Sequence, residues 1–179
     1  AAEVAEQAWQ RAKRRIGAGM TEKEIAALID AEMASAGAKP SFETIVNAGS
    51  KTDPGHGHPT DARLDPGDLL HVDFGALLDD YCSDLQRLLY VRRKGEREAP
   101  SELQDAFQTV RDIITTTSEK CLPGRKGFEI DQIARSILGD NGYPEYQHPL
   151  GHQLGRSVHD GRGLLAPQWE RYGRTPLMW

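Results

Sequence analysis

The sequence is short of cysteine, of positive charge and of long apolar runs, and each shortage excludes something. Its two cysteines, Cys82 and Cys121, are too few and too far apart for a disulfide scaffold or a cysteine-based zinc site. No window holds the roughly 18 apolar residues needed to cross a bilayer. The first residues are charged and helix-like rather than a signal-peptide core. No membrane partner is expected, and a reducing, cytoplasmic setting is the default. The 22 Lys and Arg are outnumbered by 27 Asp and Glu, leaving a net charge of -5. Lys13-Arg14-Arg15 and Arg92-Arg93-Lys94 lie beside patterned segments and read as solvated surface, so no nucleic-acid partner is expected.

What is present is ordinary for a soluble globular protein: 38% apolar and 27% charged residues over 179 positions. That length suits one domain with a real core, or a large part of a bigger one. The chain opens without Met directly into an amphipathic pattern and stops at Pro176-Leu177-Met178-Trp179 with no cap, which reads as a piece of a longer protein.

Val4, Ala8, Ala12 and Ile16, with Trp9 beside them, predict a first helix ended by Gly17-Ala18-Gly19. Thr21-Glu22-Lys23-Glu24 is a capping-box sequence, and Ile25, Leu28, Ile29 and Met33 give the buried face of a second helix ending near Gly37. Phe42 to Asn47 reads as a strand. A polar, Gly/Pro-rich stretch follows from Gly49 to Thr60, then a turn at Asp65-Pro66-Gly67-Asp68 and strands over Leu69–Ala76 and Tyr81–Val91. A second possible capping box at Ser101 precedes a helix striped by Leu103, Phe107, Val110 and Ile114. A shorter helix after Pro123-Gly124 turns Ile130, Ile133 and Ile137 inward. Shifting the chain so that Glu24-Ile25 falls on Glu129-Ile130 also places Leu28 on Ile133 and Gly37 on Gly142. The same order of elements therefore occurs twice. It favours two similar α+β halves with a cleft between them over two unrelated helical hairpins.

The sharpest local feature is the acidic hairpin His71 to Asp84. With Leu78 and Asp79 at its tip, Asp73 would face Asp84 with Cβ atoms roughly 5 Å apart, while Val72, Phe74 and Ala76 turn to a core. Facing buried carboxylates need a shared proton or a cation; two such acids on adjacent strands suit a pair of divalent ions, and Gly75 would leave room beside them. A proton-sharing pair and plain surface carboxylates are the alternatives. Asp79 and Asp80 read as turn residues, and His71 as satisfied by a local hydrogen bond.

Six histidines are present. His56 and His58 lie in the Gly/Pro-rich stretch, where a loop can bring an imidazole over a cleft. His148, His152 and His159 cluster around Gly151 and Gly155, and neutral imidazole suits zinc, manganese, cobalt or iron. No carboxylate follows His148 directly, so this is not the helical zincin motif. Two Asp and one His are too few for two ions, and Glu170, standing alone, reads as surface.

Taken together, Gly19-Met20-Thr21-Glu22, the run Pro66-Gly67-Asp68-Leu69-Leu70-His71-Val72-Asp73-Phe74-Gly75, Asp80-Tyr81-Cys82-Ser83-Asp84 and the His148–His159 block resemble the pita-bread metallopeptidases. The likeness is to their Xaa-Pro aminopeptidase and Xaa-Pro dipeptidase (prolidase) branch. The resemblance implies an α+β pita-bread fold with two pseudo-symmetric halves, a curved antiparallel sheet and helices on its outer face. Residues 1–95 would form the first half and 96–179 the start of the second. It implies two divalent ions, manganese first with cobalt or zinc as alternatives, held by Asp73, Asp84 and His152. His56, His148 and His159 would serve substrate contact and proton transfer. The implied reaction is hydrolysis of short peptides with proline at the second position by a metal-bridging hydroxide, in a protein that could pair as a homodimer. Two further glutamates would complete the site, the first just past Trp179, so the chain alone is expected to be inactive. Asp160 stands where Glu is usual, and Gln153 where Gly is common. The competing reading is a pita-bread pseudoenzyme or peptide-binding module.

Overall fold

A computed structural model describes residues 1–53 and 55–168; Glu170 and the Pro176–Trp179 segment weighed above lie outside them. The contacts divide the chain into two compact units. One is Ala1–Ala99 with Leu154–Val158, and the other is Pro100–Gln153 with residues 159–168.

In the first unit, α1 (Ala2–Ala12) buries Ala5, Ala8, Trp9 and Ala12 against α2 (Glu22–Ser35) and the strands. The helix ends before Ile16, which instead packs on the core from the turn that follows. The capping box at α2 closes as the sequence predicts. Thr21 Oγ1 accepts from the Glu24 amide at 3.1 Å, and Glu24 Oε2 accepts from the Thr21 amide at 2.7 Å. Ile25, Leu28, Ile29 and Met33 form its buried face.

The strands are β1 (Lys39–Pro40), β2 (Ile45–Ala48), β3 (Leu69–Phe74), β4 (Ala76–Leu78), β5 (Tyr81–Cys82) and β6 (Leu85–Tyr90), with a 3-10 turn at Gly49–Thr52 after β2. They make two antiparallel three-stranded sheets, ordered β1-β4-β5 and β2-β3-β6. The strand predicted from Phe42 starts only at Ile45. The long strands predicted over Leu69–Ala76 and Tyr81–Val91 are each interrupted, at Gly75 and at Ser83–Asp84. A Cβ on Gly75 would fall on the Ser83 carbonyl oxygen. That carbonyl accepts from Ser41 Oγ at 2.8 Å, and the Ala76 amide takes the Ser83 hydroxyl at 2.9 Å instead. The ladder is rerouted through side chains without losing register, since Leu77 faces Cys82 on one side of the break and Phe74 faces Leu85 on the other. Val72, Phe74 and Ala76 are fully buried, as predicted, with the Phe74 ring 6.1 Å from that of Trp9.

In the second unit, α3 (Ser101–Lys120) packs on α4 (Gly127–Asp140), and β7 (Gly151–His152) pairs with β8 (Leu164–Leu165). Pro100 is the N-cap of α3 and makes no side-chain bond, so the capping box read at Ser101 does not form. The apolar stripe read on α3 is also corrected. Its buried positions are Ile113 and Thr117, whereas Phe107, Val110 and Ile114 are 47%, 46% and 57% exposed. Spacing finds an apolar stripe, but it does not coincide with the buried positions. The internal likeness holds at α4. Glu129 Oε2 accepts from the Lys126 amide at 3.2 Å as Glu24 does from Thr21, Ile130 is buried like Ile25, and Gly142 (φ 78°) matches Gly37 (φ 80°). No helix among the described residues is long and apolar enough to cross a membrane.

Candidate metal centre and histidine cluster

The acidic hairpin turns one residue later than the sequence reading placed it. Leu78 pairs with Tyr81, so Asp79 and Asp80 form the tip, with φ of 50° and 63°. A two-residue hairpin turn of type I′ needs left-handed backbone at both tip positions, and Asp tolerates it far better than Leu. The shift moves the whole ladder: Asp73 faces Gln86, and Asp84 falls level with Gly75. Direct opposition of the two carboxylates is therefore corrected to a diagonal relation, for which Cα atoms lie ~7–8 Å apart. The space beside Gly75 is likewise taken by the Ser83 carbonyl rather than left open.

Asp73 is only 9% exposed, and Asp84 is half-buried at the head of β6. Gln86, a residue the sequence reading missed, links this carboxylate to His71. Its Nε2 donates to Asp73 Oδ2 at 3.3 Å, and its Oε1 lies 3.2 Å from His71 Nε2. Burial lowers the His71 pKa below its ordinary value, and the Gln86 contact acts the other way. Gln86 could be found only from the register, because nothing in its own sequence context marks it.

His56 and His58 lie on the exposed segment after the 3-10 turn. Two clamps hold that segment. The Asn47 amide donates to Gly57 O at 2.7 Å and accepts from the Gly57 amide at 3.1 Å. Glu22, fully buried in the first turn of α2, accepts from the Ala48 amide at 2.9 Å, the Thr60 amide at 2.8 Å, Thr60 Oγ1 at 2.7 Å and the Lys51 ammonium. Burial alone would raise the Glu22 pKa, but these donors outweigh it and hold the carboxyl below its ordinary range. His58 Nδ1 lies 2.7 Å from Glu43 Oε2 on the surface.

In the second unit β7 carries His152, whose ring lies 4.2 Å from that of His159. The pair borders a cavity of about 200 Å³ lined also by Gln153, Asp160 and Arg162. Gln153 ties the β7 end to the following loop: its amide donates to Gly163 O at 2.9 Å, and its Oε1 accepts from the Gly163 amide at 3.1 Å. His148 is exposed on the irregular segment between α4 and β7. Leu154–Val158 belongs to the first unit, where Gly155 O accepts from the Cys82 amide at 2.8 Å beside the acidic hairpin. The structure thus places Asp73 and Asp84 on one hairpin and His152 with His159 in ring contact. Among the described residues, no three His, Cys, Asp or Glu side chains gather into a group able to hold an ion.

Comparison with known proteins gives this arrangement a context. A family model for metallopeptidase family M24 matches residues 1–177. The Xaa-Pro dipeptidase of Pyrococcus horikoshii is 35% identical over 179 residues, covering 99% of this chain and 48% of that protein. Among solved structures, an X-Pro aminopeptidase from Thermotoga maritima superposes with a TM-score of 0.78 at 34% identity, covering 92% of this chain and 46% of that one. A prolidase from Thermococcus sibiricus does so with a TM-score of 0.88 at 28% identity, covering 100% and 47%. The α+β pita-bread fold expected from the sequence is the fold of these neighbours. The chain spans about half the length of the curated relatives it matches.

Proposed function

The chain belongs to metallopeptidase family M24, and on that premise we propose that it serves in hydrolysing Xaa-Pro bonds of short peptides with two divalent ions. The observation that carries this reading is the buried Asp73 carboxylate on β3 with Asp84 diagonal to it on the same hairpin, in a chain 35% identical to an Xaa-Pro dipeptidase. Asp73, Asp84 and His152 would hold the ions. Carboxylate with imidazole is a donor set suited to manganese, cobalt or zinc, with manganese the first choice. When bound, such a pair supplies Lewis acidity that activates a water and polarises the scissile carbonyl.

The remaining work falls to the chain's own side chains. His148 and His159 would contact the substrate, stabilise charge developing on the carbonyl oxygen and deliver a proton to the departing proline nitrogen. His56, held out on its clamped segment, would contact the peptide near the scissile amide. Proline's tertiary amide offers no N–H, so selectivity would rest on ring shape and the neighbouring imidazoles. A cytoplasmic setting and a homodimer accord with this reading.

The test uses the full-length protein, stripped with chelator and reloaded with manganese. It should release proline from Xaa-Pro dipeptides and bind close to two ions per chain. Asp84→Ala should lose both ions and the activity together; full ion content in that variant would defeat the ligand assignment. Wild-type protein that binds few or no ions would instead mark a peptide-binding module.

A further inference from the structure

Helix α4 places Asp131 and Arg135 one turn apart, with side chains 1% and 8% exposed. Arg135 Nε lies 2.6 Å from Asp131 Oδ2. Instead of closing on each other alone, the two side chains grip the irregular segment that follows the helix. Arg135 donates to Tyr146 O at 2.7 Å, to His148 O at 2.8 Å and to Glu145 Oε1 at 3.1 Å, and its guanidinium lies 4.1 Å from the Tyr146 ring centre. Asp131 Oδ1 accepts from the Leu150 amide at 3.1 Å and from the Tyr146 hydroxyl at 3.3 Å. Burial and the adjacent carboxylate push the Tyr146 phenol pKa up, which keeps that hydroxyl a donor.

We propose that Asp131 and Arg135 are positioning residues that set the place of His148 by clamping the main chain on both sides of it. The assignment rests on the reading of His148 as a substrate-contacting residue. Stability alone gives little reason for such a pair, since well-packed apolar residues often replace a buried ion pair at no cost. Directed bonds to two carbonyls and one amide within residues 146–150 do something apolar packing cannot, which is to fix backbone geometry. Only a planar guanidinium reaches both carbonyls while facing the carboxylate; a lysine keeps the charge and loses the fork. His148 is exposed, and the main chain that carries it is what the clamp holds.

The test is a double-mutant cycle in the full-length, manganese-loaded protein, with Arg135→Lys, His148→Ala and their combination. Arg135→Lys should lower kcat/KM for an Xaa-Pro dipeptide by about a hundredfold, the scale of a 1 Å misplacement. The combined variant should be no worse than His148→Ala alone. A stability defect would act independently of His148, so losses that multiply, or wild-type activity in Arg135→Lys, would overturn the proposal. Should Arg135→Lys fail to fold, Asp131→Asn takes its place in the cycle. If wild-type protein cleaves no Xaa-Pro peptide, the functional reading fails by itself, and amide exchange decides the clamp. The Leu150 amide should exchange at least about tenfold faster in Arg135→Lys while α3 amides are unchanged, and unaltered Leu150 exchange would overturn it.

Discussion

Glu22→Gln perturbs the most heavily bonded carboxylate in the first unit. The glutamate is fully buried and faces only donors: the Ala48 amide on one oxygen, and the Thr60 amide, the Thr60 hydroxyl and the Lys51 ammonium on the other. A glutamine is the same shape but must turn an NH2 toward one of these two sets. Either orientation sets donor against donor and leaves at least one buried amide unsatisfied, at about 1–3 kcal/mol. Loss of the charge-assisted bond to Lys51 adds about 1 kcal/mol, discounted because that ammonium is 31% exposed and can turn to water. The total is about 2–4 kcal/mol. The sign of the pH dependence follows from the lowered pKa. The unfolded carboxyl binds its proton first as pH falls, so the Glu22 contribution is whole above the ordinary value of 4.5 and disappears as pH drops through the depressed folded value. Urea unfolding of both proteins from pH 7 to pH 3.5 should show a gap that narrows below pH ~4.5. A gap under about 0.5 kcal/mol at pH 7, or one that persists unchanged in acid, would count against this account of Glu22.

Gly75→Ala should destabilise by about 3 kcal/mol or more, because the new methyl falls on the backbone carbonyl of Ser83 rather than on a side chain that can turn away; thermal unfolding would show it, and a neutral result would mean the hairpin break is soft. Asp80→Gly should stabilise by about 0.5–1 kcal/mol by relieving left-handed backbone at the turn, even though it removes the exposed 3.5 Å contact with Arg156, which contributes little; a lower melting temperature would count against the turn assignment. Asp30→Asn should raise stability at pH 7, because burial lifts the Asp30 pKa despite the Thr44 hydroxyl 2.6 Å away. A raised carboxyl pKa costs stability as pH rises past the unfolded value, so the gain should vanish below pH ~4, and a gain that survives there would show another cause.

Features that depend on local spacing can be read directly from the residues. The capping box at Thr21, the buried face of α2, the inward set Val72, Phe74 and Ala76, and the doubled helical pattern all follow from periodicities of a few residues, whereas on α4 only Ile130 of the three isoleucines read as inward is fully buried. The motifs were enough to name the family, which the match over residues 1–177 bears out. Tertiary structure decided everything that needed a partner from elsewhere in the chain. Whether Asp73 faces Asp84 or Gln86 turned on one residue of hairpin tip, and a strand's register carries any slip along its whole length. Which positions of α3 are buried depends on what packs against them, which spacing within α3 does not encode. Helical spacing marks none of Glu22, Asp131 and Arg135 as buried. Their burial emerged only when distant main-chain donors and acceptors closed around them, and that closure makes their charges tolerable inside the protein.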